Sequence, residues 1–189
     1  MAEPRSLSLV SICGSLRKAS LNAAIQRALP ELAPAGVTVT ALQGIGTLPL
    51  YDADLQAQGI PGVVTEMAEA IRAADGVVIV SPEYNYSIPG ALKNAIDWIS
   101  RVPQQPFAGK PVLLQSATQG PLGGARMQYH LRQVMVFLEA MVFNRPEVFV
   151  GMAQTKVDAA LTLTDQGTRD FIKLQLAGFE SFVRKVGGK

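Results

Sequence analysis

The stretch Val77-Val78-Ile79-Val80-Ser81-Pro82-Glu83-Tyr84-Asn85-Tyr86-Ser87-Ile88-Pro89-Gly90 decides how this chain is read. Its first four residues are apolar without alternation, the pattern of a central strand covered on both faces. Pro82 and Pro89 bracket the loop that follows and limit its backbone freedom. Pro89 suits the first turn of a helix, and Leu92, Ile96 and Ile99 supply that helix's buried stripe. Asp97 and Arg101, four apart, are set to pair on its exposed side.

The same strand-loop-helix order recurs upstream. Leu7 to Cys13 reads as a strand, Gly14-Ser15-Leu16-Arg17-Lys18-Ala19-Ser20-Leu21-Asn22 follows, and Leu21, Ala24, Ile25, Ala28, Leu29 and Leu32 recur at helical spacing. Beyond the Pro34-Ala35-Gly36 stop, Val37 to Ala41 is a strand, and Val64, Met67, Ala68 and Ile71 mark a helix. Val112 to Leu114 is the fourth strand, and Met127, Leu131, Val134, Leu138 and Met141 make a long helix. Glu147 to Val150 is the fifth strand, and Ile172, Leu176, Phe179, Val183 and Val186 form a closing helix.

Five βα units with right-handed crossovers make an α/β doubly wound parallel sheet with helices on both faces. The five-stranded order 2-1-3-4-5 is the flavodoxin-like arrangement, whose ligand crevice lies outside the carboxyl ends of strands one and three. Both loops quoted above fall there. No repeat or linker divides the chain, so residues 1–189 are expected to form a single domain.

The first loop suits a phosphate. A helix N-terminus offers unpaired amides and partial positive charge. Gly14 lets the chain pass close to a ligand, Ser15 and Ser20 bring hydroxyls, and Arg17 brings a charged fork. Asn22 is able to donate from its side chain and brace the loop, while Lys18 is expected to face solvent. The plainer reading makes Ser20 a helix cap, with Gly14 and Ser15 as turn residues. Neither G-x-G-x-x-G nor G-x-x-x-x-G-K-[ST] occurs.

The second loop is stiff enough to present its backbone, at Glu83, Tyr84 and Asn85, to the polar edge of a flat ring. Tyr84 or Tyr86 is expected near a ring face or at a subunit contact. Together the loops suggest an FMN site, phosphate at one strand end and isoalloxazine at the next.

Composition narrows the alternatives. Hydrophobic residues make up 48% and charged residues 17% of 189, which is globular. A net charge of +2 without a Lys/Arg run argues against nucleic acid. Cys13 and His130 are the single cysteine and histidine, so neither a disulfide within the chain nor a zinc site is expected. Glu3, Pro4 and Arg5 ahead of an apolar run ending by Cys13 do not make an export signal. No stretch approaches the ~20 apolar residues of a membrane span. A cytoplasmic protein is the expectation. Cys13 reads as a buried small residue, and His130 as structural rather than as a proton shuttle.

GSLRKASLN, SPEYNYSIPGALKNAIDWISR and GGARMQYHLRQ resemble the NADPH-dependent FMN reductase family, closest to its bacterial chromate/quinone reductase branch. The likeness runs through nearly the whole chain, including Leu50 to Asp54 and Asp165 to Thr168, with PEYN its most diagnostic part. It implies that Ser15, Leu16, Arg17, Lys18, Ala19, Ser20, Leu21 and Asn22 hold the FMN phosphate. It implies that Pro82, Glu83, Tyr84, Asn85 and Tyr86 line the ring, with Thr118 on its other side. The segment Ser116 to Gly120 is less serine-rich than this branch, and Ala19 stands where glycine is usual.

The chemistry expected is hydride transfer from NADPH or NADH through the flavin to quinones, and to chromate or azo compounds, in ping-pong order. The flavin carries the reaction and no catalytic side chain is required. Arg17 or Arg101 is a candidate for the extra phosphate of NADPH. Val136, Phe137 and Ala140 lie off the face of Leu131 and Leu138, suggesting burial against another chain or the closing helix. The resemblance implies a homodimer or homotetramer in which Tyr86, Arg126, Tyr129 and Glu147 bond across subunits near the flavin. The alternatives are a flavodoxin-type FMN electron carrier without NAD(P)H turnover, typically strongly acidic, and a nucleotide-binding module without a redox role.

Overall fold

A computed structural model describes residues 5–187. Glu3 and Pro4, invoked above, lie outside them. β1 (Leu7–Cys13), α1 (Leu21–Leu32) and β2 (Val37–Ala41) come first, followed by a short α2 (Ala53–Ala57) and α3 (Gly62–Ala73). Then come β3 (Gly76–Ser81), α4 (Gly90–Ile99), β4 (Pro111–Ala117) and α5 (Ala125–Phe137). β5 (Met141–Val142), β6 (Val148–Val150), a 3-10 turn at Ala153–Thr155 and α6 (Gln166–Val186) complete the chain.

The sheet is parallel in the order β2-β1-β3-β4-β5, with β6 also on β4. β3 is buried at every position and feeds both cores. Val77 and Ile79 pack with the α3, α4 and α5 layer, Val78 and Val80 with the α1 and α6 layer. Continuous apolarity therefore reads correctly as a strand with two covered faces.

The fifth strand departs from expectation by being split. Met141 and Val142 pair with Pro111 and Val112, while Val148 to Val150 pair with Gln115 to Ala117. Between them residues 143–147 bulge out, opposite only residues 113–114 of β4. Phe143 uses this excursion to meet the rings of Phe179 and Phe182 at 5.9 and 5.6 Å. Gln175, 1% exposed, stitches the gap by donating to Pro146 O at 2.8 Å and Leu114 O at 3.4 Å.

Met141 thus belongs to a strand and not to the end of a long helix. α5 stops at Phe137 because Glu139 adopts φ +56° and closes it. Ala140 N donates to Met135 O and Glu139 N to Val136 O, a Schellman ending built on glutamate in the place of glycine. The longest helix is α6, 21 residues. Two further expectations shift. Pro89 caps α4 instead of opening its first turn, and Asp97 pairs with Lys93 at 2.7 Å rather than with Arg101. Arg101 instead lies over the Tyr51 ring, 5.2 Å from its centre. Among the described residues no helix is long and apolar enough to cross a membrane.

Candidate active site

The carboxyl ends of β1, β3 and β4 open into one cleft of about 210 Å³. Ser15, Arg17, Ser20, Leu21 and Asn22 line one end, Pro82, Glu83 and Tyr84 another, and Ala117, Thr118 and Gln119 close it. The fold therefore brings together three loops that are far apart in sequence. Nine of the sequence candidates meet here. Leu16, Lys18 and Ala19 are exposed beside the cleft, and Asn85 and Tyr86 stand outside it. Ala117 and Gln119 were not singled out by sequence, since neither carries a motif.

At the β1 end, Ser20 does cap α1, accepting from Ala23 N at 3.1 Å. That plain role leaves the site chemistry intact: the Leu21 and Asn22 amides have no acceptor among the described residues, and the first turn of α1 carries no acid. Arg17 has no carboxylate partner among the described residues. Free amides, serine hydroxyls and an unpaired guanidinium thus line one end of the cleft, a donor set that suits an anion. Gly14 is needed for a reason the sequence concealed. A Cβ there would come within 2.8 Å of Ser81 Cβ, so it lets the first loop pack on the start of the second.

The loop after β3 owes its stiffness to more than its prolines. Tyr84 N donates to Ser87 O at 3.0 Å and Ser87 N to Tyr84 O at 2.9 Å, closing a two-residue hairpin. Asn85 (φ +47°) and Tyr86 (φ +68°) both take the left-handed conformation of a type I′ turn. Tyrosine in that region is strained by about 1–2 kcal/mol. α5 holds the tip in place from two positions one helical turn apart. The Arg126 guanidinium lies 3.5 Å from the centre of the Tyr86 ring, and His130 Nδ1 is 3.1 Å from Ser87 Oγ.

Glu83 is the hinge of this arrangement. Its side chain is 7% exposed, takes Arg126 Nε at 2.6 Å, and caps α5 through Met127 N at 3.2 Å. The Glu83 carboxylate correspondingly holds the Arg126 guanidinium above its usual pKa. The family resemblance implies that Arg126 bonds across subunits, which a single chain does not test. Here it has a partner in its own chain, 43 residues away, with no local signal to reveal it. Glu147 likewise meets Arg132 at 3.1 Å and Tyr129 at 3.3 Å within the chain.

At the third wall, Thr118 N donates to Val150 O at 3.0 Å. The loop then folds back through Gly123 (φ +59°), where a Cβ would lie 2.5 Å from the Phe149 carbonyl carbon. Cys13, half-buried just before the first loop, is 3.7 Å from Ser15 O, and burial pushes its thiol pKa up. Arg101 follows the end of α4, lies over Tyr51 and is not part of the cleft lining, leaving Arg17 as the arginine of the pair that lines it.

Comparison with known proteins identifies the family. Residues 7–155 match the model of the NADPH-dependent FMN reductase family. The quinone reductase of Escherichia coli K12 is 56% identical over 182 residues, covering 95% of this chain and 97% of that protein. An NAD(P)H-dependent FMN reductase of Pseudomonas aeruginosa is 44% identical, covering 96% and 98%. The solved structure of a flavoenzyme NAD(P)H:(acceptor) oxidoreductase from Paracoccus denitrificans superposes with a TM-score of 0.85 at 32% identity, covering 95% and 98%. The chain belongs to the NADPH-dependent FMN reductase family, as an oxidoreductase whose cofactors are FMN and NADPH or NADH.

Proposed function

We propose that this chain is an NAD(P)H:quinone oxidoreductase with FMN seated in the three-loop cleft, phosphate toward Ser15–Asn22 and ring between Glu83–Tyr86 and Thr118. The observation that carries the reading is the anion cradle at the start of α1, with its unpaired Leu21 and Asn22 amides, opening into the same cleft as the locked hairpin. The relatives named as quinone reductases support the acceptor class.

FMN, when bound, supplies the two-electron chemistry between nicotinamide and acceptor. The chain's own residues bind and orient. Arg17 and the Leu21 and Asn22 amides neutralise the phosphate. The Glu83–Arg126 pair keeps the hairpin from moving, so Tyr84 meets the ring in one orientation. Donor and acceptor share one open mouth and bind in turn, giving ping-pong kinetics. Acceptors chosen by exposure rather than by a fitted pocket include chromate and azo compounds alongside quinones.

The same reading makes the enzyme a cytoplasmic homodimer or homotetramer. Val136 and Phe137 on α5 are 75% and 81% exposed, so the closing helix does not cover them. Tyr86, Arg126, Tyr129 and Glu147 lie on or beside this side of α5 and are the proposed subunit contacts.

The decisive experiment is the visible spectrum of the purified protein with FMN. Bleaching by NADPH without air, then recovery with benzoquinone, is the expected result. A protein that takes up FMN but is not bleached by NADPH or NADH is an electron carrier, and the enzymatic proposal fails. Phe137→Glu should shift the sedimentation coefficient to a smaller assembly; an unchanged value refutes the interface.

A further inference from the structure

The side chain of Asn22 is committed on both its polar atoms to a single backbone residue. Its Nδ2 donates to Ala117 O at 2.9 Å, and its Oδ1 accepts from Ala117 N at 2.9 Å. The residue is 3% exposed and the pair joins points 95 residues apart. Asn22 lies in the first turn of α1, and Ala117 is the last residue of β4, directly before Thr118 and Gln119.

Two bonds between one carboxamide and one backbone residue fix rotation as well as distance, which a single bond does not. They also satisfy an N–H and a C=O that would otherwise be buried without partners at the edge of the cleft. We infer that Asn22 is a positioning residue whose side chain sets the separation between the phosphate cradle and the Thr118–Gln119 wall, and is not itself a phosphate ligand. Its backbone N–H, not its carboxamide, remains for the anion. The inference rests on the FMN placement proposed above and identifies what holds the two ends of that site at a fixed spacing.

The test compares FMN with riboflavin, which has the same ring and ribityl chain and no phosphate. Wild type, Asn22→Ala and Asn22→Gln are titrated with both flavins by fluorescence quenching, and amide exchange at Ala117 is followed in flavin-free protein. In Asn22→Ala both flavins should weaken by the same factor, roughly ten- to a hundredfold for two lost bonds, and the Ala117 amide should exchange faster. Asn22→Gln keeps the carboxamide's donor and acceptor and moves them by one methylene. It should still bind flavin, with an altered visible circular dichroism band reporting the displaced wall. Weakening of FMN with riboflavin unaffected would make Asn22 a phosphate ligand and overturn the inference. So would unchanged affinity for both flavins in Asn22→Ala. If wild type binds neither flavin, the underlying FMN placement fails with it, whereas failure of the inference alone shows only in the variants.

Discussion

Gly123→Ala is expected to be among the most damaging single-methyl additions in this protein, and its cost can be worked from geometry. Two effects act together. At φ +59° an L residue pays about 1–2 kcal/mol for the left-handed conformation. The added Cβ would also lie 2.5 Å from Phe149 C, 2.8 Å from Val150 N and 2.9 Å from Gly151 N. All three are backbone atoms of the strand end, so no side-chain rotation relieves them, and overpacking of this kind costs roughly 1–3 kcal/mol more. The sum, about 2–5 kcal/mol, is a large share of the ~5–15 kcal/mol that holds a domain together. It corresponds to a melting temperature lower by roughly 4–20 °C. Gly36→Ala is the control. Gly36 has φ +79° but nothing within 4 Å of where the methyl would stand, so it feels the conformational effect alone. Thermal melts of both variants, with FMN titrations, separate strain from collision. Gly123→Ala should lose more stability and also bind FMN more weakly, because the Thr118 wall must move. A loss no larger than that of Gly36→Ala would refute the backbone-collision argument.

Gln175→Leu should cost about 2–4 kcal/mol in urea unfolding, because it strands the buried Gln115 amide and removes the stitches to Leu114 O and Pro146 O; a neutral result would mean the split strand holds without it. Acid should weaken the fold through Asp75. Burial raises the pKa of this carboxylate, but the Arg5 hydrogen bond, the Ser8 amide and the nearby positive charges outweigh burial and leave it depressed. A carboxylate depressed in the folded state contributes full stability above its unfolded pKa of about 3.9, and loses it as pH falls through the lower folded value. Stability measured from about pH 6 to about pH 2 should therefore drop below about pH 4, and the drop should shrink in Asp75→Asn. The raised Cys13 pKa keeps the thiol neutral, so iodoacetamide at about pH 8 should modify the native protein far more slowly than the urea-unfolded chain; equal rates would contradict its burial.

How much of this was legible beforehand follows from the range of each interaction. β1 and β2 keep the bounds expected of them, and α1 follows its periodic stripe, because these patterns are local. The α5 terminus was not legible, since its Schellman closure uses Glu139 where glycine would have announced it. A periodic stripe read on past that ending takes in Met141, which instead pairs with Pro111 in the edge strand. The cradle was legible as a run of small, polar and basic residues before a helix. The Glu83–Arg126 lock and the Asn22–Ala117 pair were not, because nothing near Arg126 or Ala117 encodes a partner 43 or 95 residues away.

Alternating apolar runs and helical stripes determined the layered architecture, and the two strand-end loops pointed to the cleft, since both depend on residues close in the chain. Tertiary structure alone decided how the crevice is held open. Its walls are set by buried hydrogen bonds and an ion pair between distant elements, and such pairings exist only once the sheet has aligned those elements side by side.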